Sequence, residues 1–374
     1  LTDNPGILIT LFAFLIVIGV LVFVHEMGHY MVGRWCGVKA ETFSIGFGKE
    51  LTGWTDKRGT RWKICMLPLG GYVQFAGDMD PASTPNDDWV NLSPEERNQT
   101  FQSKSLWKRS AIVFAGPAIN FIFAILIIMG FVLTYGVTTT PPIVAEISEN
   151  SAAERIGMQP GDRVVSIDGD KVELFSDLQK KVALLADQNV EIIYERDDQL
   201  ITKQDTIGVQ IISDRFGNEY EFGLLGMSSN QIEWRDVSLA EAPVVAVNET
   251  IGIVDQIVTT LGQVITGKRS IKDLGGPLKI AQVSGEQFKL GLRNFVWFVA
   301  LISINLGFIN LLPIPMLDGG HLMFYAIEAV RRKPASAKVQ EWAFKSGFAL
   351  VVTFMLVVTF NDLTSFGLFS ALSG

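Results

Sequence analysis

The chain has 374 residues, 48% of them hydrophobic and 19% charged, with a mean hydropathy of +0.30 and a net charge of −8. Apolar content at that level, gathered into long blocks, excludes an ordinary soluble domain and points to a multi-pass membrane protein. The acid excess lies in residues 143–290, with 24 Asp and Glu against 14 Lys and Arg, and no basic patch is present to hold a nucleic acid.

Residues 1–33 carry the first apolar block. Ile7–Val24 has no charge and one hydroxyl, Thr10, and with Tyr30–Gly33 it is long enough to cross a bilayer as a helix. It lacks a basic leader and a small-residue exit, so it reads as a retained span and not a cleaved signal peptide. His25-Glu26-Met27-Gly28-His29 is set into its far end. Positions four apart share a helix face, which stacks the two imidazoles about 6 Å apart along the axis, within reach of one metal ion. Glu26 follows the first histidine, where it can act as base on a metal-bound water. Lipid offers no solvent to satisfy His and Glu, so their presence inside a span marks a functional site.

Residues 34–103 read as short strands broken by glycine: Glu41–Phe47, a turn at Asp56–Gly59, Thr60–Leu67 and Gly71–Phe75. Alternation in Arg61–Met66 predicts a β-hairpin sheet. It either dips into the membrane interface beside the site or is a plain cytoplasmic hairpin. Residues 78–103, rich in Asp, Pro, Asn and Ser, read as an exposed loop. The second span, Ala111–Tyr135 within 104–138, contains Gly116-Pro117 and Asn120. A membrane-buried Asn seeks a partner, which leaves helix packing and site lining both open.

Residues 139–230 predict a compact external α+β domain. Ala152-Ala153 begin a short helix that stops at Gly157, and a Pro160-Gly161-Asp162 turn leads into Arg163–Ile167 and an Asp168-Gly169 hairpin turn. A helix over Leu174–Ala186 and strands over Val190–Tyr194, Ile201–Val209 and Phe222–Gly226 complete it. This stretch resembles a PDZ domain, a module that receives peptides by β-augmentation. Residues 231–290 read as external amphipathic helices with a break at Gly275-Gly276-Pro277.

The third span, Phe295–Leu312 within 291–330, ends in Asn310-Leu311-Leu312-Pro313-Ile314-Pro315-Met316-Leu317-Asp318-Gly319-Gly320-His321. Pro313 and Pro315 bend the chain. Catalytic zinc takes three protein ligands and keeps a position for water; Asp318 is the natural third ligand beside His25 and His29. A fourth protein ligand would fill the water position, so His321 reads as a supporting residue behind the ligands. Asn310 is placed to hydrogen-bond an unwound substrate backbone. The fourth span, Phe348–Phe360 extended by Trp342–Gly347, lies in 331–374. Lys and Arg cluster at 34–39, 104–109 and 331–338 and are nearly absent from the opposite ends. That bias puts both termini outside and the site toward the cytoplasmic side. Cys36 and Cys65 then face the reducing side, where a structural disulfide is not expected.

Taken together, these motifs resemble the bacterial site-2 protease family, in its RseP-type branch with a PDZ domain. The resemblance rests on His25–His29, Phe43–Gly48, Pro68–Val73, Gly116-Pro117 with Asn120, the PDZ signature, and Asn310–His321, and covers nearly the whole chain. It implies that His25, His29 and Asp318 bind Zn2+ and that Glu26 is the catalytic acid/base. Asn310, Pro313, Pro315 and Asn120 would line the substrate, and the hairpin near 51–75, with Gly70 and Gly71, would pair with it as an added strand. It further implies cleavage of single-span proteins of the anti-sigma-factor or remnant-signal-peptide kind in the bacterial inner membrane, after a first cut by a site-1 protease. One PDZ signature is present where the best-known members have two. The expected fold is a four-helix membrane protein with a membrane-associated β-hairpin sheet and one PDZ domain. Two other classes fit parts of the pattern. One is a metal transporter, though the outer halves of the spans lack ionisable residues. The other is a non-proteolytic PDZ adaptor, which would not need Glu26.

Overall fold

In lipid, a backbone can satisfy its own polar groups as a helix, and the first apolar block does so without interruption. The computed structural model describes residues 5–77, 92–213, 219–266 and 275–365. Its first element is α1, Ile7–Trp35. Ala13, Val17 and Leu21, one helical turn apart, are fully buried, whereas Ile7, Leu8, Leu11 and Phe12 are exposed. The inward stripe therefore continues into His25, while the other face is apolar and open, as lipid contact requires.

Strands β1, Ala40–Thr55, and β2, Arg61–Phe75, form an antiparallel hairpin. The glycine-broken pieces expected from the sequence are thus two long bent strands. Trp54 pairs with Trp62 near the turn, while Phe43 pairs with both Trp62 and Val73. Residues 42–45 accordingly lie between 61–64 and 71–74. Phe43 stacks on Trp62, with centroids 4.4 Å apart. Both belong to an apolar cluster with Tyr30 of α1 and Phe75, Phe101 and Ile112, which fastens the hairpin to the helices. A short helix α2, Pro94–Arg97, is closed by a Ser93–Glu96 capping box; the rest of the expected loop at 78–91 lies outside the described residues. Next comes α3, Leu106–Tyr135, with Pro117 inside it.

The chain divides into two compact units, Leu1–Gly130 with Glu241–Gly374, and Phe131–Ala240. The second unit contains β3 (Val137–Thr139), β4 (Glu146–Ile147), α4 (Ala152–Arg155), β5 (Arg163–Ile167), β6 (Asp170–Lys171), α5 (Phe175–Ala183), β7 (Asn189–Arg196), β8 (Gln199–Thr206), β9 (Gly208–Ser213), β10 (Glu219–Leu224), β11 (Met227–Ser228) and β12 (Glu233–Arg235). Its main sheet has the order β6-β5-β7-β8, with β4–β11, β9–β10 and β3–β12 as separate pairs. Ser151 caps α4. Asp168 and Gly169, at φ +48° and +82°, make the two-residue turn that the Asp-Gly pair predicts. Ile167, Leu178, Ile192 and Tyr194 fill the core. Asp162 is buried and accepts from Arg196 Nε and Nη2, each at 2.7 Å, and from the Gln159 amide at 2.8 Å.

The first unit resumes with α6 (Ala242–Ile265), α7 (Pro277–Lys289), α8 (Leu292–Leu311), α9 (Asp318–Arg331) and α10 (Ala337–Ser365). Phe295 and Val299 of α8 pack on Ala13, Val17 and Leu21 of α1. Helix α7 lies along the start of α1, with Phe288 5.9 Å from Phe12 between ring centroids. Its first turn is capped from α10, where Asp362 accepts from the Gly276 and Lys279 amides, each at 3.0 Å. Among the described residues five helices are long and apolar enough to cross a membrane, α1, α3, α6, α8 and most of α10. The sequence reading counted four. The addition is α6, read there as amphipathic, whose two interior charges, Glu249 and Asp255, are too few to lower its hydropathy below that of a span.

Candidate active site

His25 and His29 lie one turn apart on α1, with ring centroids 4.9 Å apart in an edge-to-face arrangement. Their Nε2 atoms are 3.3 Å apart. The prolines at 313 and 315 end α8, and the chain restarts as α9 with Asp318 as its first residue. That restart puts Asp318 Oδ2 3.2 Å from His25 Nε2 and Oδ1 3.5 Å from His29 Nε2. The turn before it is tight: Met316 is held at φ +92°, a region that side chains rarely occupy.

One donor atom from each of His25, His29 and Asp318 falls within 4.8 Å of the others. Tetrahedral zinc, with bonds of roughly 2.0–2.1 Å, holds its ligand atoms roughly 3.3 Å apart, which matches the 3.2–3.5 Å separations here. Asp318 Oδ2 is buried without a hydrogen-bond donor. Two imidazoles and such a carboxylate, aimed at a common point, fit a divalent zinc ion.

Both rings are steadied from α3. The Ile112 carbonyl lies 2.9 Å from His29 Nδ1, and Asn120 Nδ2 lies 3.1 Å from His25 Nδ1. Close approach of the two helices depends on glycine. A Cβ at Gly28 would collide with the Ala115 carbonyl, and one at Gly116 would collide with His29 Nε2 and stand 2.9 Å from His25 Cε1.

His25, Glu26, His29 and Asp318 border a cavity of about 370 Å³. Gly70–Val73 of β2 form another side, Asn310, Met316 and Leu317 a third, and His321 closes it with Tyr325 and Phe344. Glu26 is buried, and its carboxylate accepts from the Val73 amide. A Cβ on Gly71 would lie 2.7 Å from Val22 Cγ1 and 3.0 Å from Glu26 Cγ, so bare backbone is what lets the strand reach the acid. Of the residues expected at the substrate, Gly70, Gly71 and Asn310 border the cavity. Pro313 and Pro315 are not among its lining residues and instead shape the α8–α9 junction. Asn120 is fully buried beside His25 and is not among the residues that border the cavity. The Ile112 carbonyl and the Val73 amide were not foreseen. Both are backbone groups, for which the sequence carries no signal.

Two histidines and an aspartate converging on one point between apolar helices, with a glutamate beside them, define a membrane-embedded metallohydrolase. Residues 13–354 match the model of peptidase family M50, and the chain belongs to that family. An Agrobacterium fabrum protein carrying the provisional name zinc metalloprotease is 44% identical, over 94% of this chain and 95% of its own. A Mesorhizobium japonicum protein with the same provisional name is 43% identical, over 95% and 98%. Metalloprotease MmpA of Caulobacter vibrioides is 35% identical over 99% of each chain. Among solved structures, a PDZ domain of an SdrC-like protein from Listeria monocytogenes matches 25% of this chain and 90% of its own at 17% identity. Its TM-score of 0.19 is too low to carry an argument.

Proposed function

We propose that this chain is a zinc endopeptidase that cuts single-span membrane proteins within the bilayer. The observation that carries the reading is the meeting of Glu26 with two things at once. It borders the same cavity as the His25–His29–Asp318 cluster, and it accepts a bond from the β2 backbone at Val73. In the hairpin, residues 71–75 pair with 40–45 on one side. A substrate unwound to an extended strand would add to the other side, which lays its carbonyls along the cavity.

His25, His29 and Asp318 would hold zinc, which when bound would supply Lewis acidity toward a carbonyl and a water at neutral pH. Glu26 takes the proton from the attacking water and returns it to the leaving amine. Asn310, which borders the same cavity, holds the unwound substrate backbone. His321 packs on Phe344, with ring centroids 5.1 Å apart, and closes the cavity behind the ligands.

We read four of the five apolar helices as crossings, with both termini outside and the site toward the cytoplasm, because basic residues gather at one set of span ends. Helix α7 lies against the N-terminal part of α1, and α6 is about 36 Å long. Residues 266–276 reach at most about 40 Å when fully extended, so a crossing α6 would leave almost no slack for the return to α7. In residues 139–230, α5 packed against β10 fits the PDZ reading. The substrates are then membrane proteins already trimmed outside by a site-1 protease, of the anti-sigma-factor or remnant-signal-peptide kind.

The test uses purified protein in detergent and a tagged single-span substrate lacking its external domain. Wild type is expected to cut it. Glu26→Gln should lose about 10²–10⁴-fold in rate while keeping zinc, and Asp318→Asn should lose both rate and zinc. Zinc-loaded wild type that cuts no truncated membrane substrate overturns the proposal.

A further inference from the structure

Asn120 has no exposed surface, and its two side-chain ends are in different situations. Nδ2 sits 3.1 Å from His25 Nδ1, while Oδ1 is buried without a hydrogen-bond partner. The residue is held in place from α8, where Ser303 Oγ donates to the Asn120 carbonyl at 2.8 Å.

A histidine that binds metal through Nε2 carries its hydrogen on Nδ1. His29 already has that form, because Nδ1 faces a carbonyl, which only accepts. For His25 the partner is the Asn120 amide, whose two ends exchange by a half-turn. The amide nitrogen only donates and the amide oxygen only accepts. With Oδ1 toward Nδ1 the orphaned oxygen gains a donor, and His25 Nε2 is freed as a lone pair toward the cluster.

We propose that Asn120 is a positioning residue for the metal. Its amide oxygen accepts the Nδ1 hydrogen of His25 and so leaves Nε2 as the lone pair that a metal ion needs. The inference rests on the zinc reading above. It also gives the two ligands different support: His29 is fixed in its binding form by backbone, whereas His25 is held in it by a side chain on the neighbouring helix.

The experiment measures zinc affinity of the purified full chain in detergent by competition with a chromophoric chelator. Wild type, Asn120→Asp and Asn120→Leu are compared, and the cobalt-loaded absorption spectrum is recorded for each. Losing a partner of this kind weakens metal binding about 10–100-fold, which is the loss expected for Asn120→Leu, with an altered cobalt spectrum. A carboxylate only accepts, so Asn120→Asp should bind zinc as tightly as wild type or more tightly. Wild-type affinity in Asn120→Leu overturns the proposal, as does a tenfold loss in Asn120→Asp. Should Asn120→Leu fail to purify as a folded species, the affinity of Asn120→Asp alone decides. Wild type that binds no zinc overturns the metal reading itself, which separates that failure from this one.

Discussion

Gly116→Ala tests how tightly α3 is pressed onto the ligand pair. Ordinary contact to a Cβ begins near 3.4 Å; the added carbon would stand 2.9 Å from His25 Cε1 and closer still to His29 Nε2. Relief therefore moves the His25 ring by about half an ångström and the His29 ring by about an ångström, or drives the helices apart by a similar amount. Metal–ligand distances tolerate only about 0.2 Å, and an ångström of misplacement at a reacting centre costs about 10²-fold in rate. We expect zinc affinity to fall at least about tenfold and cleavage about a hundredfold, with a folding cost of about 1–3 kcal/mol from overpacking. The assay is chelator competition together with cleavage of a truncated single-span substrate in detergent. Gly130→Ala, on the same helix but with nothing within 4 Å of its added Cβ, is the matched control and should change neither. Wild-type zinc affinity and cleavage in Gly116→Ala would refute the reasoning.

Gly71→Ala should separate the strand from the metal: its Cβ meets the Ser44 carbonyl at 2.6 Å and Glu26 Cγ at 3.0 Å. Cleavage is expected to drop about tenfold or more while zinc content stays at the wild-type level. Met316 sits at φ +92°, where a side chain costs about 1–3 kcal/mol, so Met316→Gly should unfold at a higher temperature than Met316→Ala in detergent. In the second unit, burial pushes the Asp162 carboxyl up, but the Arg196 guanidinium and the Gln159 amide outweigh it and hold it below the usual carboxylate range. A depressed folded value means its stabilisation is full above the unfolded value near 4 and is lost as pH falls through the folded value. Asp162→Ala should therefore weaken amide-exchange protection in residues 143–228 by about 2–3 kcal/mol at pH 7, and by progressively less as the pH drops below 4.

Much of the site could be read before any coordinates, because its chemistry is carried by side chains that are costly in an apolar span. His25, Glu26 and His29 stood out by their setting, and Asp318 by an apolar context behind two prolines. Turn chemistry was equally visible in Asp168-Gly169. Some features could not be read. The folding of Ala40–Thr55 and Arg61–Phe75 onto each other depends on which of several registers the aromatic residues choose, and Phe43 meeting both Trp62 and Val73 is a tertiary outcome. The Asp362 cap on α7 joins residues far apart in the chain. Asn120 was noticed as a buried amide, yet its direction is set by the crossing of α1 and α3 at Gly28 and Gly116, which no local pattern encodes. Helix α6 shows the limit of composition, since two charges among apolar residues satisfy both an amphipathic and a spanning description.

The two imidazoles lean on different kinds of support, and this bears on how the chain can vary. The Ile112 carbonyl is present whatever residue occupies that position, so substitutions there can change size or polarity without taking away the partner of His29. His25 has no such protection. Its partner is a side chain specified by one codon, and few replacements at 120 offer an acceptor at the same reach. Random mutation should therefore spare position 112 and punish position 120, although the two atoms they contribute stand in equivalent places. A library covering both positions, sorted by cleavage, would display that asymmetry directly.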